Sequence, residues 1–278
     1  PELFTGISAI ILVGAPDLTV GNLFGANTFN LLNLALLDIV SHNGSLLRVV
    51  SPSHRLTAWL SLVLVLVAAV SIFISQFSAL GIGWIGWYTP IIILLYLFFM
   101  RIIFRSEQRQ SSHQEAELDY GEMSLGRVYL YFTISAIFII GAGIWLAMVG
   151  DEIAGATGWG QSFVGSLFLA FTTSLPEITV SLAAMRIGAM DLAVANMIGS
   201  NLFNMTIIPI DDLFYLHGPV LASVSQSHLL TALVVMMMTL VFIAGLHFRP
   251  KRLFRLNWYN LALIGLFLGG AYFSFILA

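Results

Sequence analysis

The sequence has no cysteine and few charged residues. The absence of cysteine from its 278 residues excludes disulfide bonds, thiol catalysis and cysteine-ligated zinc. Charged residues make up 9% of the chain and hydrophobic residues 59%, whereas about a quarter of a soluble domain is charged. So little polar surface cannot keep a chain of this length in water, and the composition therefore indicates an integral membrane protein.

The apolar residues come in blocks of about 20, the length that crosses a bilayer as a helix. This pattern predicts an all-α, polytopic bundle of transmembrane helices, because the strands of a membrane barrel are shorter and alternate apolar with polar residues. A polar segment at 105–127 separates a first half, 1–104, from a second half, 128–278. The predicted spans are a partial one at 1–13 and full ones at 17–40, 56–77, 82–104, 128–149, 161–186, 191–216, 228–247 and 256–278.

The basic residues fall in alternate loops between these spans. Assigning successive loops to alternating sides of the membrane places all eleven on one side, which the positive-inside rule makes cytoplasmic, with the C-terminus external. The basic residues are Arg48, Arg55, Arg101, Arg105, Arg109, Arg127, Arg186, Arg249, Lys251, Arg252 and Arg255.

Two parts of the chain repeat. Segments 1–2 and 17–30 recur as 176–177 and 191–204, and every asparagine of the longer segment is present in both copies. An odd number of spans separates the copies, so they face opposite sides of the membrane, as in secondary transporters whose substrate site lies where inverted repeats meet. The span before the second copy has no counterpart before the first, so we expect about one and a half N-terminal helices to be missing.

The second copy carries oxygen-bearing side chains around a proline. Pro176 lies mid-span and leaves the carbonyl of Thr172 without its helical partner. Thr173 and Ser174 precede Glu177 by four and three residues, so their hydroxyls lie on the same side of the helix as its carboxylate. Oxygen ligands without nitrogen or sulfur are the preference of Ca²⁺ and Na⁺.

A carboxylate at the membrane centre costs at least about 2.5 kcal/mol on insertion scales. Glu2 and Glu177 therefore need a reason to be there. One alternative is a protonated carboxyl that is hydrogen bonded to a neighbouring helix. A cation site better explains why both copies keep Pro-Glu, and two carboxylates match the charge of one Ca²⁺.

The next helix of each repeat has a polar stripe at helical spacing. Its alternative interpretation is hydrogen bonding and close packing between helices, to which we assign Gly25, Gly199, Asn27 and Asn201. The stripe consists of Asn196, Ser200 and Asn204 in one copy and of Asn22, Ala26 and Asn30 in the other.

Five aspartates accompany these helices. We expect Asp17 and Asp191, just after a turn, to be N-caps. Asp38, Asp211 and Asp212 lie further along, and we offer the hypothesis that they attract cations into a vestibule at each mouth. The alternative is that they simply reach water at helix ends.

These residues resemble the alpha repeats of the calcium/cation antiporter superfamily, closest to sodium/calcium exchangers. The resemblance rests on Gly-Ser-Leu-Phe-Leu-Ala-Phe-Thr-Thr-Ser-Leu-Pro-Glu at 165–177, Gly-Ser-Asn-Leu-Phe-Asn at 199–204 and the first copy from 1 to 30. It implies a ten-span fold of inverted five-plus-five repeats. It also implies Glu2 and Glu177 as the main Ca²⁺ carboxylates, with further oxygen ligands at Thr173, Ser174, Ser200, Asn30 and Asn204. Ala26 stands where this family usually has serine.

The resemblance implies a secondary transporter that exchanges Na⁺ for Ca²⁺ by alternating access. One alternative keeps the fold and uses H⁺ as the driving ion, carried by Glu2 or Glu177; a second is a cation channel. No nucleophile-base pair or metal centre of an enzyme is found. We expect no cofactor and no nucleic-acid partner; the partners are Ca²⁺, Na⁺ and the lipid bilayer, in a prokaryotic inner membrane.

Overall fold

A computed structural model describes residues 1–41, 45–78, 80–111, 124–249 and 256–277. Most of the predicted loop at 105–127 lies outside these residues, as do Lys251, Arg252 and Arg255. The elements, in chain order, are α1 (Glu2–Ser8), a π-helical turn (Ala9–Val13), α2 (Pro16–Val40), α3 (Leu46–Val49), α4 (His54–Ser75), β1 (Gly81–Ile82), β2 (Ile85–Gly86), α5 (Tyr88–Ser111), α6 (Leu125–Thr157), α7 (Gln161–Val164), a second π-helical turn (Gly165–Leu169), α8 (Ala170–Thr173), α9 (Leu175–Arg186), α10 (Met190–Phe214), a 3₁₀ turn (Val220–Ala222), α11 (His228–Phe248) and α12 (Trp258–Leu277).

Eight helical segments of the described chain are long and apolar enough to cross a membrane. They are α2, α4, α5, α6, the run from α7 to α9, α10, α11 and α12, and α1 with its π-helical turn is a shorter apolar segment. This confirms the predicted all-α membrane bundle, with eight full spans and a partial one at the start. The protein is therefore integral to a membrane.

The spans divide into an inner and an outer group. The most apolar stretch is 78% buried in α2 and 67% buried in α10, but only 17% in α5 and α12 and 11% in α6. Helix α2 packs on α10 and α11, and α4 packs on the same two helices. The outer helices expose large apolar side chains such as Phe132, Phe138 and Trp145, which is the surface expected against lipid. The two motif helices α2 and α10 thus form the centre of the bundle.

Two span boundaries differ from the prediction. The span expected from residue 82 begins at Tyr88, because the preceding residues form the antiparallel β1–β2 hairpin around Gly83, whose φ is +65°. The span expected to end at 149 continues to Thr157. Its added turns contact α7, where the side chain of Gln161 donates a hydrogen bond to Asp151 at 2.6 Å. Gly158, with φ of +71°, then ends α6.

The span at 161–186 is not one regular helix. It consists of α7, the second π-helical turn, α8 and α9, and it is interrupted at Ser174. Pro176 lies in the first turn of α9, where a missing N–H breaks no helical hydrogen bond. The break that proline imposes therefore falls two residues earlier, next to the predicted oxygen ligands.

Glycines in α2 and in the second π-helical turn allow these two segments to approach each other closely. A Cβ atom at Gly25 would lie 2.2 Å from the carbonyl oxygen of Ser166, and one at Gly165 would lie 2.5 Å from that of Leu18. The predicted packing role of Gly25 is confirmed. The same role for Gly199 is wrong, because a Cβ atom there would meet nothing within 4 Å. This contact brings the interrupted helix against α2 and so positions the candidate site.

Candidate cation site

Glu2 on α1 and Glu177 on α9 belong to two helices that both pack on α2. Glu2 is 5% exposed, and its carboxylate acts electrostatically on that of Glu177. The Oε2 atom of Glu177 is buried and has no hydrogen-bond partner among the described residues. The two acids from opposite repeats are thus near enough to repel each other, and a cation between them would relieve that repulsion.

Thr173 connects this pair to α2. Its hydroxyl lies near the Glu2 carboxyl and donates to the amide oxygen of Asn22 at 3.0 Å. Thr173 and Asn22 are both buried. Three helical segments, α1, α2 and α8, thus contribute oxygen atoms to one place.

The other predicted hydroxyls differ in their surroundings. Ser174 is fully buried at the interruption between α8 and α9, and its hydroxyl has no hydrogen-bond partner within the described parts of the chain. Ser200 is half-buried on α10. Thr172 is exposed, and its hydroxyl donates to the carbonyl of Phe168 at 2.9 Å. The hydroxyl of Ser174 is therefore available to a ligand, whereas that of Thr172 is already engaged in a hydrogen bond.

Four asparagines form a symmetric network between α2 and α10. The amide nitrogen of Asn30 donates to the Asn201 side chain at 2.9 Å, and that of Asn204 donates to the Asn27 side chain at 3.0 Å. Asn27 and Asn201 also donate to each other's backbone carbonyls, at 3.4 and 3.2 Å. The interhelical role predicted for Asn27 and Asn201 is confirmed. Because the nitrogen of Asn30 is engaged while its buried oxygen is unpaired, that oxygen remains available to a cation.

Asn196 holds α9 against α10. Its amide nitrogen donates to the backbone carbonyl of Glu177 and to the hydroxyl of Ser181, both at 3.1 Å. Ser181 in turn donates to the carbonyl of Ala193 at 3.1 Å. The sequence placed Asn196 in the same polar stripe as the candidate ligands, whereas the structure gives it the task of positioning the backbone of Glu177.

Asp17 and Asp191 are not N-caps, so that prediction was wrong. Helices α2 and α10 begin one residue earlier, at Pro16 and Met190, and neither has a side-chain cap. Each carboxylate instead receives a backbone N–H and approaches a histidine at the start of a helix in the opposite repeat. The contacts join Asp17 to Ser225 and His228, and Asp191 to Ser51 and His54, at 2.6 to 2.9 Å.

We call these two sets of contacts the Asp–His latches. The sequence contained a signal for them, because Ser51 and His54 recur as Ser225 and His228 at the same offset as the asparagines. Asp17 and Asp191 start helices of inverted repeats, so the latches lie at opposite ends of the bundle. Each latch joins the two repeats.

The hypothesis that Asp38 and Asp212 attract cations in open vestibules is wrong, because both are fully buried. Asp212 fastens the start of α5 and the 3₁₀ turn to α10. It accepts hydrogen bonds from the backbone N–H groups of Gly86 and Val220 and from the hydroxyls of Tyr88 and Thr89, at 2.5 to 2.7 Å.

Asp38 fastens α3 and α12 to α2 in an equivalent way. It accepts hydrogen bonds from the backbone N–H of Leu46, at the start of α3, and from the side chain of Asn260 in α12 at 2.8 Å. Leu46 and Val220 each follow their aspartate by eight residues. The two aspartates thus anchor the last helix of each repeat to the central helices, and buried charge supplied with donors is stable there.

Asp211, beside this anchor, also lies away from any vestibule and is fully buried. Neither of its carboxylate oxygens has a hydrogen-bond partner in the described residues. Its counterpart in the first repeat is Leu37. The sequence grouped Asp211 with Asp212, whereas the structure separates an anchored acid from an unpartnered one.

A cavity of about 370 Å³ opens beside the site, between α1, α6 and the interrupted helix. Thr5, Thr172, Thr173 and Pro176 line one side, and residues of α6 such as Gly143 line the other. In the described residues no group of three or more histidine, aspartate and glutamate side chains is arranged as a metal centre. A cation here would therefore depend on two carboxylates supplemented by neutral oxygens.

Comparison with known proteins places the same features in context. The family model described as sodium/calcium exchanger protein matches residues 127–277. Sodium/potassium/calcium exchanger 2 of Rattus norvegicus is 29% identical over 135 residues, which are 48% of this chain and 19% of that protein. Inner membrane protein YrbG of Escherichia coli (strain K12) is 26% identical over 216 residues, 75% of this chain and 63% of YrbG. The chain thus spans less than two thirds of the length of either relative.

The fold is also similar to that of a solved structure. The sodium-calcium exchanger NCX_Mj superimposes with a TM-score of 0.59 over 98% of this chain and 81% of that one, at 21% sequence identity. Likeness at this level of identity shows a common fold, which is the inverted-repeat bundle described above.

Proposed function

Since the chain belongs to the sodium/calcium exchanger protein family, we propose that it is a secondary transporter, not an enzyme, that exchanges Na⁺ for Ca²⁺ by alternating access. The observation that supports the proposal is the electrostatic interaction of Glu2, which is buried, with Glu177, which is half-buried with its Oε2 atom inside the protein; the two come from helices of oppositely oriented repeats. Inverted repeats with the substrate site between them are the usual architecture of such transporters.

The proposed ligands are oxygen atoms around this pair. Ca²⁺ takes six to eight oxygens, and two carboxylates balance its charge. Na⁺ would compete for the same carboxylates and use more of the neutral oxygens. The neutral candidates are Thr173, Ser174, Ser200, Asn30, Asn204 and, with its hydroxyl already engaged, Thr172.

We assign the basic loops to the cytoplasm and the C-terminus to the outside, in a prokaryotic inner membrane. Arg55 lies 3.4 Å from the ring of His247, and Arg249 donates to the carbonyl of Val50 at 3.4 Å. Two of the basic loops are therefore neighbours at one end of the bundle. An excess of arginine and lysine at one end is typical of the cytoplasmic side.

The test is ⁴⁵Ca²⁺ uptake into proteoliposomes that contain the purified protein. An outward Na⁺ gradient should drive uptake, and E177Q should abolish it because one of the two site carboxylates is lost. E152Q is the matched control, since Glu152 is an exposed acid on α6. Uptake that needs no counter-ion gradient would identify a channel and contradict the proposal.

A second candidate function keeps the fold and uses H⁺ as the driving ion. The buried, unpartnered carboxyl of Asp211 in the last turn of α10 favours it. In the same vesicles, an outward H⁺ gradient without Na⁺ would then drive Ca²⁺ uptake.

A further inference from the structure

Asp211 is a buried acid that the cation site does not use. It lies near the C-terminal end of α10 and is 0% exposed, and both of its carboxylate oxygens lack hydrogen-bond partners among the described residues. Asp212, the next residue, is equally buried but accepts four hydrogen bonds. Two adjacent acids with the same burial therefore differ completely in how their charge is compensated.

A buried, ionised and unpartnered carboxylate is strongly unfavourable, so such a group is neutral or holds a positive ion. The charged groups around Asp211 offer no cation. The neighbouring charge that acts on it is that of Asp212, and the ionisable group nearest that pair on α5, Tyr88, donates its hydroxyl proton to Asp212. Asp211 therefore requires a cation that it must obtain from outside the protein.

The backbone of α1 packs closely on the Asp211 carboxyl. Helix α1 presses on the carboxyl at Gly6, where a Cβ atom would lie 2.8 Å from Oδ2 and 3.2 Å from Oδ1. The carbonyl of Gly6 already accepts a hydrogen bond from Thr19 at 3.2 Å. Ca²⁺ needs six to eight oxygen ligands, whereas a proton needs one carboxylate oxygen and no space.

The contact at Gly6 connects Asp211 to the cation site. Gly6 and Glu2 are four residues apart on α1, so they lie on the same side of that helix, one turn apart. Any displacement of α1 that alters the contact of Glu2 with Glu177 also alters the cover over Asp211. The surroundings of Glu2 and of Asp211 therefore both depend on the position of α1.

We propose that Asp211 is a proton-binding site, separate from the Glu2–Glu177 pair and linked to it through α1. The inference rests on the proposed antiport function and adds H⁺ as a linked ion. With α1 packed at Gly6, the carboxyl is protonated and neutral. When α1 moves off and water enters, the O–H bond breaks, the proton passes to water and the carboxylate becomes ionised. Linkage is reciprocal, so cation occupancy at Glu2 and Glu177 and protonation of Asp211 affect each other equally.

The test measures protons moved per Ca²⁺ in proteoliposomes with a weak internal buffer and a trapped pH-sensitive dye. Ca²⁺ uptake is driven by a Na⁺ gradient and followed with ⁴⁵Ca²⁺. The wild-type protein should move protons in step with Ca²⁺, and D211N should reduce the ratio of protons to Ca²⁺ at least about fivefold because the amide binds no proton near neutral pH. E152Q is the matched control, and the ratio should not change because Glu152 is an exposed acid on α6, outside both sites.

Each outcome has a distinct meaning. A D211N ratio equal to that of the wild-type protein would overturn the proton site. Ca²⁺ uptake without any proton movement would overturn it too, while leaving Na⁺-driven exchange intact. Absence of Ca²⁺ uptake under either gradient would instead contradict the antiport function.

A spectroscopic measurement applies even if D211N does not fold. The E2Q/E177Q double variant lacks both site carboxylates, and exposed carboxyls are ionised at neutral pH. Its infrared spectrum should therefore keep, at neutral pH, the carbonyl stretch of one protonated carboxylic acid. Absence of that band would overturn the proposal. D211A, which also removes the carboxyl but introduces no group that could clash with Gly6, should lack the band.

Discussion

The two inverted repeats share the contacts that hold their helices together. They differ at two positions where only the second repeat has a polar side chain. The asparagine network, the two Asp–His latches and the anchors Asp38 and Asp212 are built from equivalent residues of the two repeats. In contrast, Ala26 corresponds to Ser200 and Leu37 corresponds to Asp211. Symmetry is therefore kept in the contacts that hold the helices together, and the second repeat carries two polar side chains that the first repeat lacks.

The largest effect should come from the pair of acidic site residues, Glu2 and Glu177, that the two repeats share. E2Q and E177Q each remove one of two carboxylates, and each should weaken Ca²⁺ binding at least about 100-fold, since a charge lost from a buried cluster costs about 2–5 kcal/mol. Isothermal titration calorimetry with Ca²⁺ and the protein in detergent measures the affinity, with E152Q as control. If only one of the two variants lost affinity, the repeats would not contribute equally.

A comparable effect, on stability and not on Ca²⁺ affinity, is expected at the anchors. D38A and D212A leave several buried donors unpaired, and each should lower stability by about 3–5 kcal/mol. Thermal unfolding in detergent, followed by size-exclusion chromatography, measures the loss. Y88F removes one of the Asp212 donors and should cost only about 1–2 kcal/mol. Wild-type stability of either alanine variant would contradict the anchoring role.

The equivalent glycines of α2 and α10 should respond in opposite directions. G25A places a Cβ atom 2.2 Å from a backbone carbonyl oxygen, and overpacking of this kind destabilises by about 1–3 kcal/mol. G199A meets open space and should stabilise α10 by up to about 1 kcal/mol through helix propensity. The same unfolding assay compares the two, and equal destabilisation by both would show that the repeats pack alike at this position.

The smallest effect should come from the Asp–His latches. H54A and H228A each remove one hydrogen bond at one end of the bundle, a loss of about 1 kcal/mol. Because the ends are opposite, the variants should shift the ratio of apparent Ca²⁺ affinities at the two membrane faces in opposite directions. Right-side-out and inside-out vesicles measure that ratio, and a shift in the same direction would indicate that the latches do not separate the two faces.

Several site residues could be found from the sequence because the repeat marks them. Pro-Glu in two copies identified Glu2 and Glu177, and the structure brings them together. Their role as ligands, with that of Thr173, Ser174 and Asn30, remains a prediction. The repeat also contained signals for the latches and anchors, because His54 recurs as His228 and Asp38 as Asp212, at the same offset as the asparagines.

Other features could not be predicted because spacing along a helix does not reveal what faces it. Asp211 and Asp212 are adjacent in sequence, yet the loop residues of the β1–β2 hairpin and the 3₁₀ turn supply donors to only one of them. Asn196 shares a stripe with Asn204 but bonds to the backbone of Glu177. These outcomes depend on neighbours that are far away in the chain.

Local composition was sufficient to define an integral membrane protein with inverted repeats and oxygen-bearing motif helices, because hydropathy and periodicity depend on the residues of each segment alone. The fate of each buried charge was decided by packing between segments. Burial removes water from every acid alike, so whether that acid becomes an anchor, a cation ligand or a proton site depends on which donors the folded chain brings to it.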